Sequence, residues 1–229
     1  MAAFLKSIFS STADTKDKLL SKFKKNPKPK HISAPWDLRL GGIVEFDRLP
    51  FRAIEDELQV IIPESAMIIA AYGSIDLGEG VTAHRFYDAE GQMLEVVTQK
   101  GKDIKEVRFF VPYDSIYPAS EEEWDFWLGD DGLIGYPSFM TKENVEYLRL
   151  WFQNSNERVE PVELEENIIT RDFEKESICV EYQCMSYGRY IGNTDKVEYL
   201  QLSFEDTGNE ASIELMLGLD LKKEDLQII

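Results

Sequence analysis

Apolar and polar residues alternate along most of the chain after Trp36, with turn residues between the runs. Such a period of two is typical of β-strands with one buried face. The best-defined hairpin is predicted in TAHRFYDAEGQMLEVVTQ, where Gly91 suits a left-handed turn position. A second long hairpin is predicted around residues 192–195, between ICVEYQCMSYGRYI and KVEYLQLSFED. The pattern therefore predicts a predominantly antiparallel β protein.

Further short apolar runs are assigned by length and residue type. GGIVEFD and LPFRAIED are interpreted as short strands around a turn. The longer run AMIIAAYGSIDL fits a buried strand or a helix, and its β-branched and aromatic positions favour the strand. The other predicted elements are KEVRFFVPYDSIY, VEYLRLWF, ENIITRDFE, ASIELMLGLDL and a short final KKEDLQII.

Residues 119–146 have a different texture. The stretch ASEEEWDFWLGDD begins like a helix, since Ser120 can cap it and acidic residues occupy its first turn. Gly129, Gly132 and Gly135 then impose loops. We therefore predict a helix and loop connector between two β-rich parts of the chain.

The beginning of the chain is predicted to be one amphipathic helix over residues 1–23. Its apolar side chains fall in one broad sector, although SSTADTKD is a weak point at which a second helix could start. The next stretch, NPKPKHISAP, has three prolines in ten residues and is typical of an extended tether.

These observations predict an α+β fold that is predominantly antiparallel β, with two meander-like β lobes and an N-terminal amphipathic helix. The expected parts are an arm and tether (1–35), a first β lobe (36–118), a connector (119–146) and a second β lobe (147–229). The order of strands and turns is similar after Tyr72 and after Tyr187. An internal duplication and a coincidental antiparallel order both stay open.

Charge divides the chain into two parts. The net charge is −18, yet residues 1–31 contain eight lysines and two aspartates, a net of +6 that leaves −24 for the rest. Because an acidic body repels phosphate backbones, we expect no nucleic acid partner. No apolar run is long enough for a membrane-spanning helix or a secretory signal, and two cysteines with no expected disulfide favour the cytoplasm.

The sequence contains few residues or motifs that indicate catalysis or metal binding. Cys179 and Cys184 have an odd spacing that puts them on opposite faces of a strand, and His84 is interpreted as an ordinary strand residue rather than a general base. No phosphate loop, nucleophile elbow or zinc motif is present. We therefore expect no catalytic residue, no cofactor and no metal site, and lean towards a non-enzyme.

A ligand or partner surface is a second hypothesis. The acidic and aromatic segment 121–136 could bind a divalent metal or a small ligand, although a helix start followed by a solvated turn explains the same residues and is favoured. Arg189 could bind an anion, but pairing with Glu181 or Glu198 is favoured in so acidic a body. The candidate residues are Trp124, Trp127, Asp130, Asp131, Tyr136, Tyr187 and Arg189.

The basic arm gives the main functional hypothesis. It could lie on an anionic membrane, bind a protein partner, or dock on its own body. Apolar side chains would insert while lysines attract anionic lipid, so that binding would be reversible. The residues expected to bind a membrane or partner are Phe4, Leu5, Ile8, Phe9, Lys22, Lys24, Lys25, Lys28 and Lys30.

PWDLRLGGIVEFD near the beginning and CMSYGRYIGNTDKVEYLQLSFED near the end resemble the YjfK-like family of bacterial proteins. The resemblance covers most of the chain beyond the tether. It implies an acidic body behind a short basic, apolar beginning, but no catalytic residues, because the family has no established activity. Its members' genes often lie beside genes for proteins similar to phage-shock protein A, which implies an envelope-linked role on the cytoplasmic side.

Two functions are therefore expected. The first is a non-enzymatic cytoplasmic adaptor that binds an unknown protein partner and is peripheral to the inner membrane through its arm. The alternative is a small-ligand or divalent-metal-dependent enzyme that uses the 121–136 segment.

Overall fold

The computed structural model of the chain describes residues 34–170, 176–206 and 211–229, together with Leu5, Phe9 and the backbone of Lys24–Pro27. The strands in these parts are β1 (Lys24–Pro27), β2 (Ile43–Phe46), β3 (Met67–Ile68), β4 (Ala71–Gly78), β5 (Val81–Tyr87), β6 (Met93–Gln99), β7 (Asp103–Ile116), β8 (Ser138–Met140), β9 (Glu146–Arg149), β10 (Val162–Thr170), β11 (Glu176–Tyr190), β12 (Val197–Asp206), β13 (Ala211–Asp220) and β14 (Leu226–Ile228). The helices are α1 (Glu121–Leu128) and three 3₁₀ helices, Pro35–Asp37, Leu49–Glu57 and Lys223–Asp225.

Eight strands close into an antiparallel barrel. Around the ring the order is β10-β4-β5-β6-β7-β13-β12-β11, and β11 pairs again with β10. Each half of the chain contributes four consecutive barrel strands, and the halves are joined where β4 pairs with β10 and β7 pairs with β13. Closure gives every barrel strand two neighbours and so satisfies its backbone hydrogen bonds.

The predominantly antiparallel β fold predicted from the sequence is confirmed. The hairpin at Gly91 joins β5 to β6, and this glycine has a φ of 86°. The hairpin around residues 192–195 joins β11 to β12, and Gly192 also has a positive φ. AMIIAAYGSIDL forms β3 and β4, as the β-branched positions favoured.

LPFRAIED was predicted as a strand, and this prediction is wrong. Residues Leu49–Glu57 form a 3₁₀ helix with Pro50 in its first turn, where a missing N–H costs nothing. Phe51 and Ile54 are three residues apart, so they lie on the same side of a helix with three residues per turn. Both are buried in the core outside the barrel.

Strand β11 carries the sheet beyond the barrel. On one of its edges β10 pairs with residues 178–184, and β9 pairs further along with Tyr187 and Gly188. Strand β8 pairs with β9 and ends this path of the sheet. The face of β11 that lines the barrel interior therefore continues onto a short, open extension at one mouth of the barrel.

Two covers bury the outer faces of the barrel. A small sheet in the order β14-β2-β3 packs against the outside of β4 to β7. On the other side, α1 and the loops around it pack against the outside of β11, β12 and β13. Ser120 caps α1, as predicted, because its hydroxyl accepts a hydrogen bond from the Glu123 N–H at 3.2 Å.

Most of the predicted N-terminal helix and tether lies outside the described residues. Leu5 and Phe9 are both helical in conformation. Part of the tether is extended, but Lys24–Pro27 form β1, which pairs with the first residues of β11. None of the described helices is long and apolar enough to cross a membrane.

Candidate functional site

Four charged residues form an interior charge cluster inside the barrel: Arg85, Glu95, Arg108 and Glu166. Arg85 lies on β5 between Ala83 and Tyr87, whose side chains belong to the interior core, so alternation directs its guanidinium inward. It bonds Glu95 Oε2 at 2.7 Å and Glu166 Oε2 at 3.2 Å. Arg108 bonds the other Glu95 oxygen at 3.2 Å. The cluster is a chain of alternating charges from β7 to β10.

Two tyrosines complete the coordination of Glu166, which has no exposed surface. The Tyr87 hydroxyl donates to Oε1 at 2.8 Å and the Tyr182 hydroxyl to Oε2 at 3.1 Å. Arg85 in turn donates to the Tyr182 hydroxyl. Gly73 makes room for this carboxylate, because a Cβ at that position would lie 1.7 Å from Glu166 Oε1.

The local charges set the protonation of the cluster. Burial alone would raise the pKa of the Glu95 carboxyl, but the guanidinium groups of Arg85 and Arg108 outweigh it and hold that pKa below its usual value. Burial also raises the pKa of the Tyr182 hydroxyl well above its ordinary value. Glu95 is therefore an anion and Tyr182 a neutral donor at neutral pH.

This cluster was not among the sites predicted from the sequence, although a signal for it was present. Arg85 and Glu95 each stand at an apolar phase of an alternating strand, the first between Ala83 and Tyr87 and the second between Met93 and Val97. Charged residues are rarely buried unless they are paired. Two charges of opposite sign at such positions on neighbouring predicted strands indicate a buried ion pair.

A second buried carboxylate lies outside the barrel. Glu198 Oε1 accepts hydrogen bonds from the backbone N–H groups of Gln59 and Val60 at 2.7 and 2.8 Å. Its Oε2 accepts from the Tyr147 hydroxyl and from Arg189 Nε, each at 2.7 Å. Arg189 is therefore paired with Glu198, one of the two partners favoured by the sequence, and Glu198 ties residues 59–60 to the barrel wall.

The open extension of the sheet borders a cleft of about 610 Å³, the mouth cleft. Its floor is Gly188, which faces Leu150 and Val197. Leu148 lies directly opposite Gly188, and Tyr190 is two residues further along β11 on the same face. Together these side chains make the cleft largely apolar.

Three large apolar side chains are exposed on this face of the sheet and form the mouth face, and two of them, Leu148 and Tyr190, line the cleft. Met140 is 54% exposed, Leu148 58% and Tyr190 73%. Met140 pairs with Glu146 on β9, two residues from Leu148, so the two apolar side chains share a face. Contiguous exposed apolar side chains on a rigid sheet are typical of binding surfaces.

One wall of the mouth cleft is a loop held by a single arginine. Arg149 is buried, and its guanidinium donates to backbone carbonyl groups. These acceptors belong to Gly135, Trp151, Phe152, Ser155 and Glu157. These hydrogen bonds hold the backbone of a loop that has no regular secondary structure of its own. The cleft is therefore preformed.

The residues that were predicted to form a ligand surface fall into two groups in the structure, those packed in the protein and those exposed. Trp124 packs edge-on against Phe204 with ring centroids 5.3 Å apart, and Trp127 stacks on Phe139 at 6.3 Å, so both tryptophans pack on the sheet. Tyr187 is fully buried and accepts a hydrogen bond from the Gly135 N–H at 2.8 Å. Arg189 is partly exposed and pairs with Glu198, and the other three members of that set are exposed and follow α1: Asp130, Asp131 and Tyr136.

His84 and the cysteines occupy the positions that alternation predicts. The His84 ring lies between the Tyr72 hydroxyl at 2.9 Å and the Thr98 hydroxyl at 3.0 Å, and burial lowers its pKa. Cys184 belongs to the interior core, and Cys179, an odd number of residues away, faces outward. Neither cysteine forms a disulfide and both are buried, and burial raises the pKa of Cys184 to about 12.

One group of side chains has the types and spacing that can hold a metal ion. Glu165 and Glu181 lie directly opposite each other across β10 and β11, and Cys179 is two residues from Glu181. One donor atom from each of the three lies within 4.8 Å of the others. Both carboxylates are exposed, and water solvates such pairs in many proteins without a metal.

The predicted arm residues are only partly described. Leu5 has no exposed surface and belongs to the interior core of the barrel, and Phe9 packs against that core. The backbone of Lys24 and Lys25 lies in β1. The other predicted arm residues lie outside the described part of the chain: Phe4, Ile8, Lys22, Lys28 and Lys30.

Comparison with known proteins places the chain in a family. A family model described as "Protein of unknown function (DUF2491)" matches residues 17–227. The chain is 30% identical over 217 residues to "Uncharacterized protein YjfK" of Escherichia coli (strain K12), a match that covers 90% of this chain and 96% of that protein. No solved structure is significantly similar to this chain. The chain therefore belongs to the DUF2491 family of proteins of unknown function, in agreement with its resemblance to the YjfK-like proteins.

Proposed function

We propose that the protein is a non-enzymatic cytoplasmic adaptor that binds a protein partner at the mouth face and is peripheral to the inner membrane through its basic arm. The observation that carries the proposal is the mouth face itself. Leu148 and Tyr190 present large apolar side chains to solvent at a preformed cleft, and Met140 extends this exposed apolar surface along the same sheet face. Burial of one such side chain by a partner contributes about 1.5–3 kcal/mol.

The sheet edge at β8 supports a specific mode of binding. The Arg149 N–H bonds the Pro137 carbonyl and the Thr141 N–H bonds the Val145 carbonyl, so residues of odd number face β9. Alternation then directs the backbone polar groups of Ser138 and Met140 to the other edge. None of the described strands pairs there. An extended segment of the partner can add to this edge while its side chains enter the mouth cleft.

Charge defines the chemistry of the partner. Arg149 and Arg189 line the cleft, but their guanidinium groups are bonded within the protein. Glu146 lines it as well and is exposed. The body outside the arm carries a net charge of −24. We therefore propose a partner segment with an apolar anchor and basic flanks, since opposite charges favour encounter and orientation.

Replacing Leu148 by aspartate should weaken partner binding by about 10- to 100-fold, because it removes apolar contact and adds a charge at the centre of the mouth face. The matched control is Ile61→Asp, the same change at an aliphatic side chain that is 82% exposed and does not line the mouth cleft. Affinity capture from native membranes with the three full-length proteins identifies any protein lost with Leu148→Asp alone. Its affinity is then measured with purified components. Equal recovery with both variants would contradict the proposed surface.

Charge reversal of Lys22, Lys28 and Lys30 to glutamate should lower affinity for anionic vesicles by about a hundredfold or more. Each lysine near an anionic surface contributes about 1 kcal/mol. The control reverses Lys100, Lys102 and Lys105, three exposed lysines of the body, and so makes the same change in net charge. Vesicle cosedimentation at low and physiological salt measures the effect. The assignment to the arm is wrong if the two triple variants lose equal affinity, or if the unmodified protein does not sediment.

A further inference from the structure

The strongest unexplained feature is the position of the arm's apolar side chains. Leu5 is completely buried in the interior core, together with residues from seven of the eight barrel strands, and Phe9 packs against the same core. Leu5 and Phe9 are both helical and four positions apart, a spacing that puts two side chains of a helix on the same face. That helical face is therefore covered by the barrel of the same molecule.

A second contact fixes the same part of the chain to the barrel. Strand β1 pairs with residues 176–179 at the beginning of β11. Ile178 in this stretch belongs to the interior core that contains Leu5. The chain is thus attached to the barrel on both sides of residues 10–23, through Leu5 and Phe9 before them and β1 after them.

Charge complementarity points to the same occupant. Glu205 and Glu214 are buried on neighbouring strands, and alternation directs both towards the interior. Glu214 Oε2 accepts a hydrogen bond from the Ser115 hydroxyl at 2.6 Å, whereas Oε1 has no partner in the described part of the chain. A buried carboxylate needs compensating positive charge or donors. The first 31 residues carry a net charge of +6.

We propose that the barrel interior is the binding site for the chain's own N-terminal segment, and that this segment must leave the barrel before it can bind a membrane. The second half of the proposal rests on the proposed membrane association. Leu5 cannot insert into lipid while it is buried in the protein core, and the contact of Phe9 with the same core also has to break. The apparent membrane affinity is then lowered by the fraction of molecules in which the segment is docked.

Cys184 provides a native reporter of release. It is 1% exposed in the same interior core as Leu5, and its burial suppresses formation of the reactive thiolate. All proteins in the experiment carry Cys179→Ala, so that Cys184 is the only thiol. The rate of maleimide labelling at pH 8 then measures how often the interior opens.

Three full-length proteins are compared: the Cys179→Ala background, the same protein with Leu5→Asp, and the same protein with Ile61→Asp as the control. We expect Leu5→Asp to label roughly tenfold faster or more, since an aspartate is not retained in an apolar core. The control should label at the background rate. Equal rates for Leu5→Asp and the background would overturn the proposed site. Far-UV circular dichroism verifies that each variant is folded.

The membrane half is tested without any substitution in the arm. Vesicles of phosphatidylglycerol and phosphatidylcholine are added to the Cys179→Ala protein, and vesicles of phosphatidylcholine alone are the control. We expect roughly tenfold faster labelling of Cys184 with the anionic vesicles only. Cosedimentation without faster labelling would overturn the requirement for release while leaving the proposed membrane association intact. If the protein does not cosediment with the vesicles, the proposed membrane association is wrong, and so is its competition with docking in the barrel. The Leu5→Asp result still decides whether the segment occupies the barrel.

Discussion

Replacing Arg85 by methionine should lower the free energy of unfolding by about 3–5 kcal/mol. Methionine is also a long, unbranched side chain, but it is apolar, so the substitution removes the positive charge between Glu95 and Glu166. Glu95 retains Arg108, whereas Glu166 keeps only the hydroxyls of Tyr87 and Tyr182. A buried carboxylate that has lost its cation partner is costly. Urea unfolding followed by circular dichroism measures the loss.

The control for this prediction is Arg48→Met. Arg48 also pairs with two glutamates, Glu55 and Glu64, but on the surface, where such pairs contribute about 0–1 kcal/mol. Adding Glu166→Gln to Arg85→Met should recover part of the stability, since it removes the uncompensated charge. A loss at Arg85 no larger than that at Arg48 would show that the interior charge cluster is solvated rather than buried.

Replacing Glu198 by glutamine should destabilise the protein by about 3 kcal/mol, at the lower end for a buried ion pair because Arg189 is partly exposed. Both carboxylate oxygens accept hydrogen bonds, from Gln59 and Val60 on one side and from Tyr147 and Arg189 on the other. An amide has one acceptor oxygen, so its NH₂ group must face donors on one side.

The loss of stability in Glu198→Gln can be located within the protein as well as measured in size. Hydrogen exchange at the Gln59 and Val60 amides should become faster in Glu198→Gln, because these two N–H groups lose their acceptor or its charge. Glu146→Gln, the same chemical change at an exposed strand position, should alter stability by less than about 0.5 kcal/mol. Unchanged protection at both amides would contradict the assigned role of Glu198.

Local elements of the fold were predictable because the interactions that form them lie close together in the chain. The hairpin at Gly91 needs a positive φ at one turn residue, and the start of α1 needs an acceptor at Ser120. The wrong strand prediction for Leu49–Glu57 also has a physical reason. Its apolar residues fit a strand when considered alone, and the buried spacing of Phe51 and Ile54 becomes decisive only when the barrel wall is present.

The candidate site was less predictable than the fold. Arg189 and Glu198 lie on adjacent strands of one hairpin, so their pairing follows from cross-strand neighbours. Arg85 and Glu166 are separated by 81 residues and meet only because β4 pairs with both β5 and β10. The mouth face depends in turn on where β10 ends along β11 and β9 begins.

By itself the sequence determined most of the barrel strands, the main turns, the cap of α1, the acidic body and the basic beginning, since periodicity, backbone preference and charge are properties of short segments. Only the tertiary structure decided that the two halves close into one barrel and that Leu5 lies inside it. Closure is a contact between strands distant in sequence, and its register depends on all eight strands at once. The amphipathic pattern predicted for residues 1–23 is equally suited to lipid or to a protein core, and the available apolar surface determines which of the two it covers.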